Sequence, residues 1–186
     1  MACGNGAYGD VTDSRVGIRQ ERADDLAAIR ELNRRAFAQD DEGMIVDALR
    51  SNGAVLVSLV ATLRDEVVGH IVYSPVVVGE ATGAALGPMA VLPEYQGQGI
   101  GSRLVEAGNR WVGDAGYPFV VLVGHAGFYP RFGFKPAARY GITCEWDVPD
   151  DVFVALMLDP ERAAGISGRA KYRQEFTRNS PSNQVY

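Results

Sequence analysis

The chain has 186 residues, 47% of them apolar, enough to bury the core of one compact domain. Its formal charge is −5 and it holds no block of Lys and Arg, which excludes the clustered positive footprint of a nucleic-acid binder. No run of about 18 apolar residues is present to span a membrane, and Met1-Ala2-Cys3-Gly4-Asn5-Gly6 lacks the basic and apolar regions of a secretory leader, so a cytoplasmic protein without membrane partners is expected.

In chain order, residues 1–14 are rich in Gly, Asn and Asp without periodicity and read as a flexible tail. Val16–Arg19 alternates as a short strand, and Asp24 is placed to cap a helix whose Leu26, Ile29, Leu32, Ala36 and Phe37 share one face. Gly43–Arg50, with Met44, Ile45, Ala48 and Leu49, predicts a second helix stopped at Asn52-Gly53. Val55–Leu63 and Val67–Val78 are apolar, β-branched runs joined at Arg64-Asp65-Glu66, the pattern of an antiparallel hairpin. After a loop at Gly79–Gly83, Ala84–Leu92 reads as a buried strand.

Gly99–Ala115 is amphipathic and helical, with Leu104, Gly108, Trp111, Val112 and Ala115 as its packed stripe. Phe119–Val123 is a fully apolar strand, followed by a short helix around Phe128–Arg131 and strands at Phe134–Ala138 and Phe153–Leu158. Residues 178–186 are polar and read as a second tail. One domain over 15–177 is expected, an α/β fold with a mixed central sheet of about seven strands and about four helices packed on it.

Cys3 and Cys144 are too few and too far apart for a disulfide framework or a metal site, and His70 and His125 offer no ligand spacing, so no metal is expected. The informative stretch is Leu86–Leu104, a buried strand leading through Gln96-Gly97-Gln98-Gly99-Ile100-Gly101-Ser102 into a helix. Alternating Gly97, Gly99 and Gly101 let the backbone turn sharply and turn its N–H groups on an anion, with the helix's positive end behind them. A pyrophosphate suits that cradle. Gly101 is followed by Ser102-Arg103 and not Lys-Ser/Thr, which excludes a P-loop, and GxGxG is not the dinucleotide GxGxxG. A tight turn without a ligand is the plainer alternative. In the second constellation, Val120–Phe134, a strand delivers His125 and Tyr129 before a reversal at Gly133, and a tyrosine with a reference pKa near 10 is a proton donor at neutral pH. Core packing is the plainer role for that ring.

Together these stretches resemble the GNAT superfamily of N-acetyltransferases: Gln96, Gly99 and Gly101 match its Gln/Arg-x-x-Gly-x-Gly/Ala loop, and Tyr129, Gly133 and Phe134 its Tyr-x-x-x-Gly-Phe element. The resemblance covers about Arg15 to Phe176, and Gly69–Pro75 with Phe128–Phe134 are similar to the YhbS-like bacterial subgroup. It implies the GNAT fold and acetyl-CoA as co-substrate. Met89, Ala90 and Val91 would pair with the pantetheine arm, and a backbone N–H of Met89 or Ala90 would polarise the thioester carbonyl. The amides of Gln96, Gly97, Gln98, Gly99, Ile100, Gly101 and Ser102 would hold the pyrophosphate. Tyr129 would protonate the leaving thiolate.

An amine, small-molecule or peptide, would attack directly through a ternary complex, since Cys144 lies outside both motifs. Family members often place a Glu on the strand before the loop, but Ala84–Leu92 carries no acid, which leaves Glu42, His70, His125 or bound waters to take the amine's proton. A non-catalytic acyl-CoA sensor of the same fold and a domain using the loop for other phosphates are the competing readings. A homodimer is compatible with the sequence.

Overall fold

A computed structural model of the chain describes residues 16–179. Strands β1 (Val16–Gln20), β2 (Val57–Leu63), β3 (Glu66–Val78), β4 (Ala81–Val91), β5 (Phe119–Val123), β6 (Lys135–Pro136), β7 (Ile142–Thr143), β8 (Phe153–Met157) and β9 (Gly168–Lys171) accompany helices α1 (Leu26–Phe37), α2 (Asp41–Ser51) and α3 (Ile100–Asp114). They build a nine-stranded sheet in the order β1-β2-β3-β4-β5-β8-β6, with β9 joining β3 to β7. The expected tails, 1–14 and 178–186, and Cys3 lie outside the described residues, apart from the backbone of 178 and 179 at the end of a 3-10 turn.

Antiparallel ladders join β1 through β4, and the main path of the sheet turns parallel where β4 meets β5, as does the side pairing of β7 with β9. That pairing is confined to Ala84 opposite Val120 and Ala85 opposite Val121. Beyond it β4 keeps its ladder with β3, but through a bulge: Tyr73 faces Leu86 and Ile71 faces Met89, so that the pair Gly87-Pro88 stands opposite the single residue Val72. A bulge bends the strand that carries it, and proline supplies no ladder N–H. The two parallel strands thus part after Ala85 and Val121.

Strand alternation sorts side chains to two faces. Leu59, Ala61, Ile71, Tyr73, Ala84, Leu86, Val120 and Leu122 pack with Leu104, Val105 and Val112 of α3. Val60 and Val72 face Ile29 of α1 and Ile45, Val46 and Leu49 of α2.

Several expectations are corrected in detail. Asp25, not Asp24, organises the start of α1, accepting from the Arg22 N–H at 2.7 Å and from Arg19 Nη1 and Nη2 at 2.6 and 2.8 Å. Leu26, Phe37 and Met44 are exposed, because the buried stripes of α1 and α2 run through Ile29–Leu32 and Ile45–Leu49. Ala115 lies past the end of α3 and is exposed, whereas Ile100, Val105 and Asn109 join the buried stripe. The stretch after Phe128 is a 3-10 turn, Tyr129–Phe132, closed by Gly133 at φ 87°. The expected strand to Ala138 shortens to β6, since residues 137–140 close into another 3-10 turn. No helix among the described residues is long and apolar enough to cross a membrane.

Candidate active site

The gap between β4 and β5 opens toward the loop that precedes α3. Gly97 and Gly99 hold φ of 74° and 81°, left-handed values that side chains resist, and Gly99 forms the N-cap of α3 without a side-chain cap. Ahead of them the turn is internally braced: Tyr95 N–H donates to Leu92 O at 2.8 Å, Gln98 Nε2 to Glu94 O at 3.1 Å, and Gln96 Nε2 to Val91 O at 3.0 Å. The next amide to find a protein acceptor is that of Arg103, which donates to Gly99 O at 3.1 Å. The N–H groups of residues 97–102 have no acceptor among the described residues, and they sit on the positive end of a 15-residue helix. A phosphate-sized anion would satisfy several of them together.

Gly101 lies under the other wall. A Cβ there would stand 3.5 Å from Phe128 Cζ and 3.8 Å from Met89 Cε and Val91 Cγ2, so the end of β4, the loop and the turn before Tyr129 meet at this one glycine. Arg131 lies over the Phe128 ring at 4.9 Å.

Tyr129 is 7% exposed. Its ring meets Phe128 and Phe134 edge-on, with centroids 5.0 and 5.7 Å away, and lies so close to Gly124 that a Cβ there would fall 2.6 Å from Cε2. Its hydroxyl makes no hydrogen bond among the described residues. Burial pushes its pKa well above that of an ordinary phenol, so it holds its proton throughout the neutral range.

The other residues singled out from the sequence are scattered. Met89 and Val91 are half-buried and pack against the α3 face, whereas Ala90 is buried. His125 is exposed at the head of the turn, accepting the Phe128 N–H on its carbonyl at 3.1 Å. Glu42 is 3% exposed in the first turn of α2, where Gln39 Nε2 donates to it at 2.9 Å. Cys144 is half-buried, and desolvation raises its thiol pKa, the opposite of a nucleophile's need. Among the described residues no group of three or more His, Cys, Asp and Glu is arranged for a metal ion.

His70 is fully enclosed and joined to Ser58 and, through it, to Glu21 and Arg50. Sequence reading passed over Ser58 and Glu21. A serine inside the apolar run 55–63 is a signal, since a buried hydroxyl calls for a partner, and hairpin register puts it diagonal to His70, whose own partner is Val60.

Residues 54–136 match the family profile described as Acetyltransferase (GNAT) domain. The chain is 35% identical over 164 residues to the N-acetyltransferase YhbS of Escherichia coli, covering 87% of this chain and 98% of that protein. A second Escherichia coli N-acetyltransferase, YjhQ, is 35% identical over 68% of this chain and 74% of its own length. The crystal structure of YhbS with CoA superposes with a TM-score of 0.85, covering 89% of this chain and 93% of that one. A GNAT acetyltransferase of Brucella melitensis, solved with acetyl-CoA, is 38% identical with a TM-score of 0.74, covering 87% and 97%.

Proposed function

The chain belongs to the GNAT superfamily of acetyl-CoA-dependent N-acetyltransferases, and from that premise we propose that it passes the acetyl group directly to an amine, a small molecule or a peptide, in a ternary complex. The observation that carries this reading is the row of unpartnered amides at 97–102 at the mouth of the β4–β5 gap. The pyrophosphate of acetyl-CoA binds those amides, and the pantetheine arm fills the gap as the strand that β4 and β5 do not share. The thioester carbonyl takes a backbone N–H at Met89–Ala90, a donor of the kind whose loss costs roughly 10²–10³ in rate.

The amine nitrogen attacks the carbonyl carbon, the tetrahedral intermediate collapses, and the C–S bond breaks with its electron pair on sulfur. Tyr129 donates its proton to that thiolate. Its raised pKa does not forbid the transfer, because a thiolate released into the same apolar enclosure has a raised proton affinity too. His125, exposed at the rim, is left out of the proton path.

The test is thiol release from acetyl-CoA with n-butylamine, tyramine, spermidine and peptides bearing a free α- or ε-amine. The wild-type protein releases CoA with at least one of them, and Tyr129→Phe lowers kcat by about 10²-fold at unchanged acetyl-CoA affinity, the size expected for lost general-acid catalysis. Tight acetyl-CoA binding with no thiol released for any amine would identify a sensor instead.

A further inference from the structure

On the sheet face opposite α3, a chain of polar side chains runs from the interior to the surface. His70 on β3 is fully buried, and its register partner on β4 is Ala90. Such Cα partners lie roughly 4.5–5.5 Å apart, so the His70 backbone stands one strand away from the thioester position assigned above. His70 Nε2 is 2.9 Å from Ser58 Oγ, Ser58 donates to Glu21 Oε2 at 2.5 Å, and Arg50 holds Glu21 through Nε and Nη2, each at 2.8 Å. The direct separation of Nε2 from Glu21 Oε2 is 3.8 Å, too long for a hydrogen bond, so Ser58 is the link.

These donors and acceptors fix the tautomer. Burial works to raise the Glu21 carboxyl, but the hydrogen bonds of Arg50 and Ser58 and the nearby His70 outweigh it and keep the group ionised. A carboxylate only accepts, so the Ser58 proton points to Glu21 and its oxygen must accept from the ring. Nε2 therefore carries the hydrogen, and Nδ1 is left as a bare lone pair. That atom is fully enclosed and has no hydrogen-bond partner among the described residues. The large majority of buried side-chain polar atoms in folded proteins have a hydrogen-bond partner, so the bare nitrogen calls for an explanation.

Desolvation, opposed by Glu21, keeps the ring neutral. Glu21 and Arg50 are the charges that act on it. Neighbouring β2 and β4 carry no titratable side chain, and the charged groups of α1 are engaged elsewhere, Arg30 with Asp47, Glu31 with Arg34 and Arg35 with Glu94.

We infer that, once acetyl-CoA has entered between β4 and β5 and opened the enclosure around it, His70 Nδ1 takes up the proton of the attacking amine through one bound water, with Ser58 and Glu21 as the positioning residues that keep that lone pair free. The inference rests on the acetyl-transfer reading and supplies the base that β4 lacks. As the N–C bond forms, the amine N–H proton passes to the water and a water proton passes to Nδ1. The resulting imidazolium keeps its Nε2–H on Ser58, and its charge is balanced by Glu21. After the product leaves, Nδ1 returns its proton through the same water, and no change of tautomer is needed.

The tautomer is read by long-range ¹H–¹⁵N correlation of the ring nitrogens, where His125 is the only other histidine and His70→Gln identifies the signals. The expected state is a neutral ring with hydrogen on Nε2 from pH 8 to below 6.5. Ser58→Ala should mix the tautomers and lower kcat roughly ten- to a hundredfold at unchanged KM for acetyl-CoA, and Ser58→Thr, which keeps the hydroxyl, should restore most of it. Glu21→Gln should move the acid limb of the kcat/KM profile to lower pH, because it removes the charge that raises the ring's pKa. Hydrogen on Nδ1 in the wild type overturns the inference, as does a kcat within twofold of wild type in Ser58→Ala. Should His70→Gln not fold, Ser58→Ala decides. Unaffected variants in an enzyme that acetylates one of the amines refute this inference alone, whereas no turnover with any amine removes the acetyl-transfer reading as well.

Discussion

The Tyr73 ring of β3 rests on α3 at Gly108, where a Cβ would stand 2.3 Å from Cε2, and the phenol donates to Asn109 Oδ1 at 3.0 Å. In an exposed helix Gly→Ala gains about 1 kcal/mol. Here the methyl group meets a fully buried ring, and overpacking costs about 1–3 kcal/mol. Gly108→Ala should lower Tm by several degrees in a thermal melt. Gly113→Ala is the control on the same helix: its Cβ would meet only Leu158 Cδ1 at 3.8 Å, and it should leave Tm unchanged or raise it.

Gly101 is the cleanest probe of the anion cradle. Its φ is not left-handed and a Cβ fits at 3.5 Å from Phe128, so Gly101→Ala should bind acetyl-CoA nearly as well as wild type. The two further methyls of Gly101→Val crowd the amides and should weaken binding at least a hundredfold in titration calorimetry, with the circular dichroism spectrum preserved. Gly99→Val is a poorer reporter, because its φ of 81° adds backbone strain of about 1–2 kcal/mol. Unaltered affinity in a folded Gly101→Val protein would place the cofactor elsewhere.

The buried network sets a two-stage acid response. Burial depresses the pKa of His70 below 6.5, so the unfolded chain takes the proton first and stability declines as pH falls below that value. Glu21 is held below its usual 4.5, and its contribution, complete above that pH, is lost on further acidification. Denaturant titrations should therefore show a plateau above about pH 7 and a decline of at most about 1.4 kcal/mol per pH unit for each proton. His70→Gln should erase the first stage and leave the second. A stability that rises between pH 7 and 5 would contradict a neutral buried ring.

Ligand preference can be read by thermal shift. At 100 times its Kd a ligand adds about 2.7 kcal/mol, which for a domain of this size raises Tm by roughly 5–10 °C. Acetyl-CoA should do so, while ATP and NAD at the same concentration should give little, having no arm to lie between β4 and β5. An equal shift with ATP would argue for a general phosphate site.

What could be read in the sequence was what repeats or punctuates locally. The apolar, β-branched runs 55–63 and 67–78 marked the hairpin, and the stripe through Leu104, Gly108 and Val112 marked α3. Glycine spacing located the loop before its geometry was known. Strands β7 and β9 were not legible, because Ile142–Thr143 and Gly168–Lys171 are too short to show a period. The helix expected near Tyr129 became a 3-10 turn, with Pro130 early in it and Gly133 closing it. The site's least legible part was the His70 network. Glu21 and Ser58 stand 37 positions apart, and no spacing rule joins the residue just past one strand to the second residue of another.

The parting of β4 from β5 has a mechanical side. Only Ala84 with Val120 and Ala85 with Val121 stitch the leaf formed by β1–β4 to the leaf that begins at β5. The chain then crosses back, and β9 fastens Lys171 and Ala170 to Val77 and Val78. A book sewn so sparingly opens along its spine, and the late return of β9 works as the clasp. Pulled from its two ends, such a fold should tear first at that clasp.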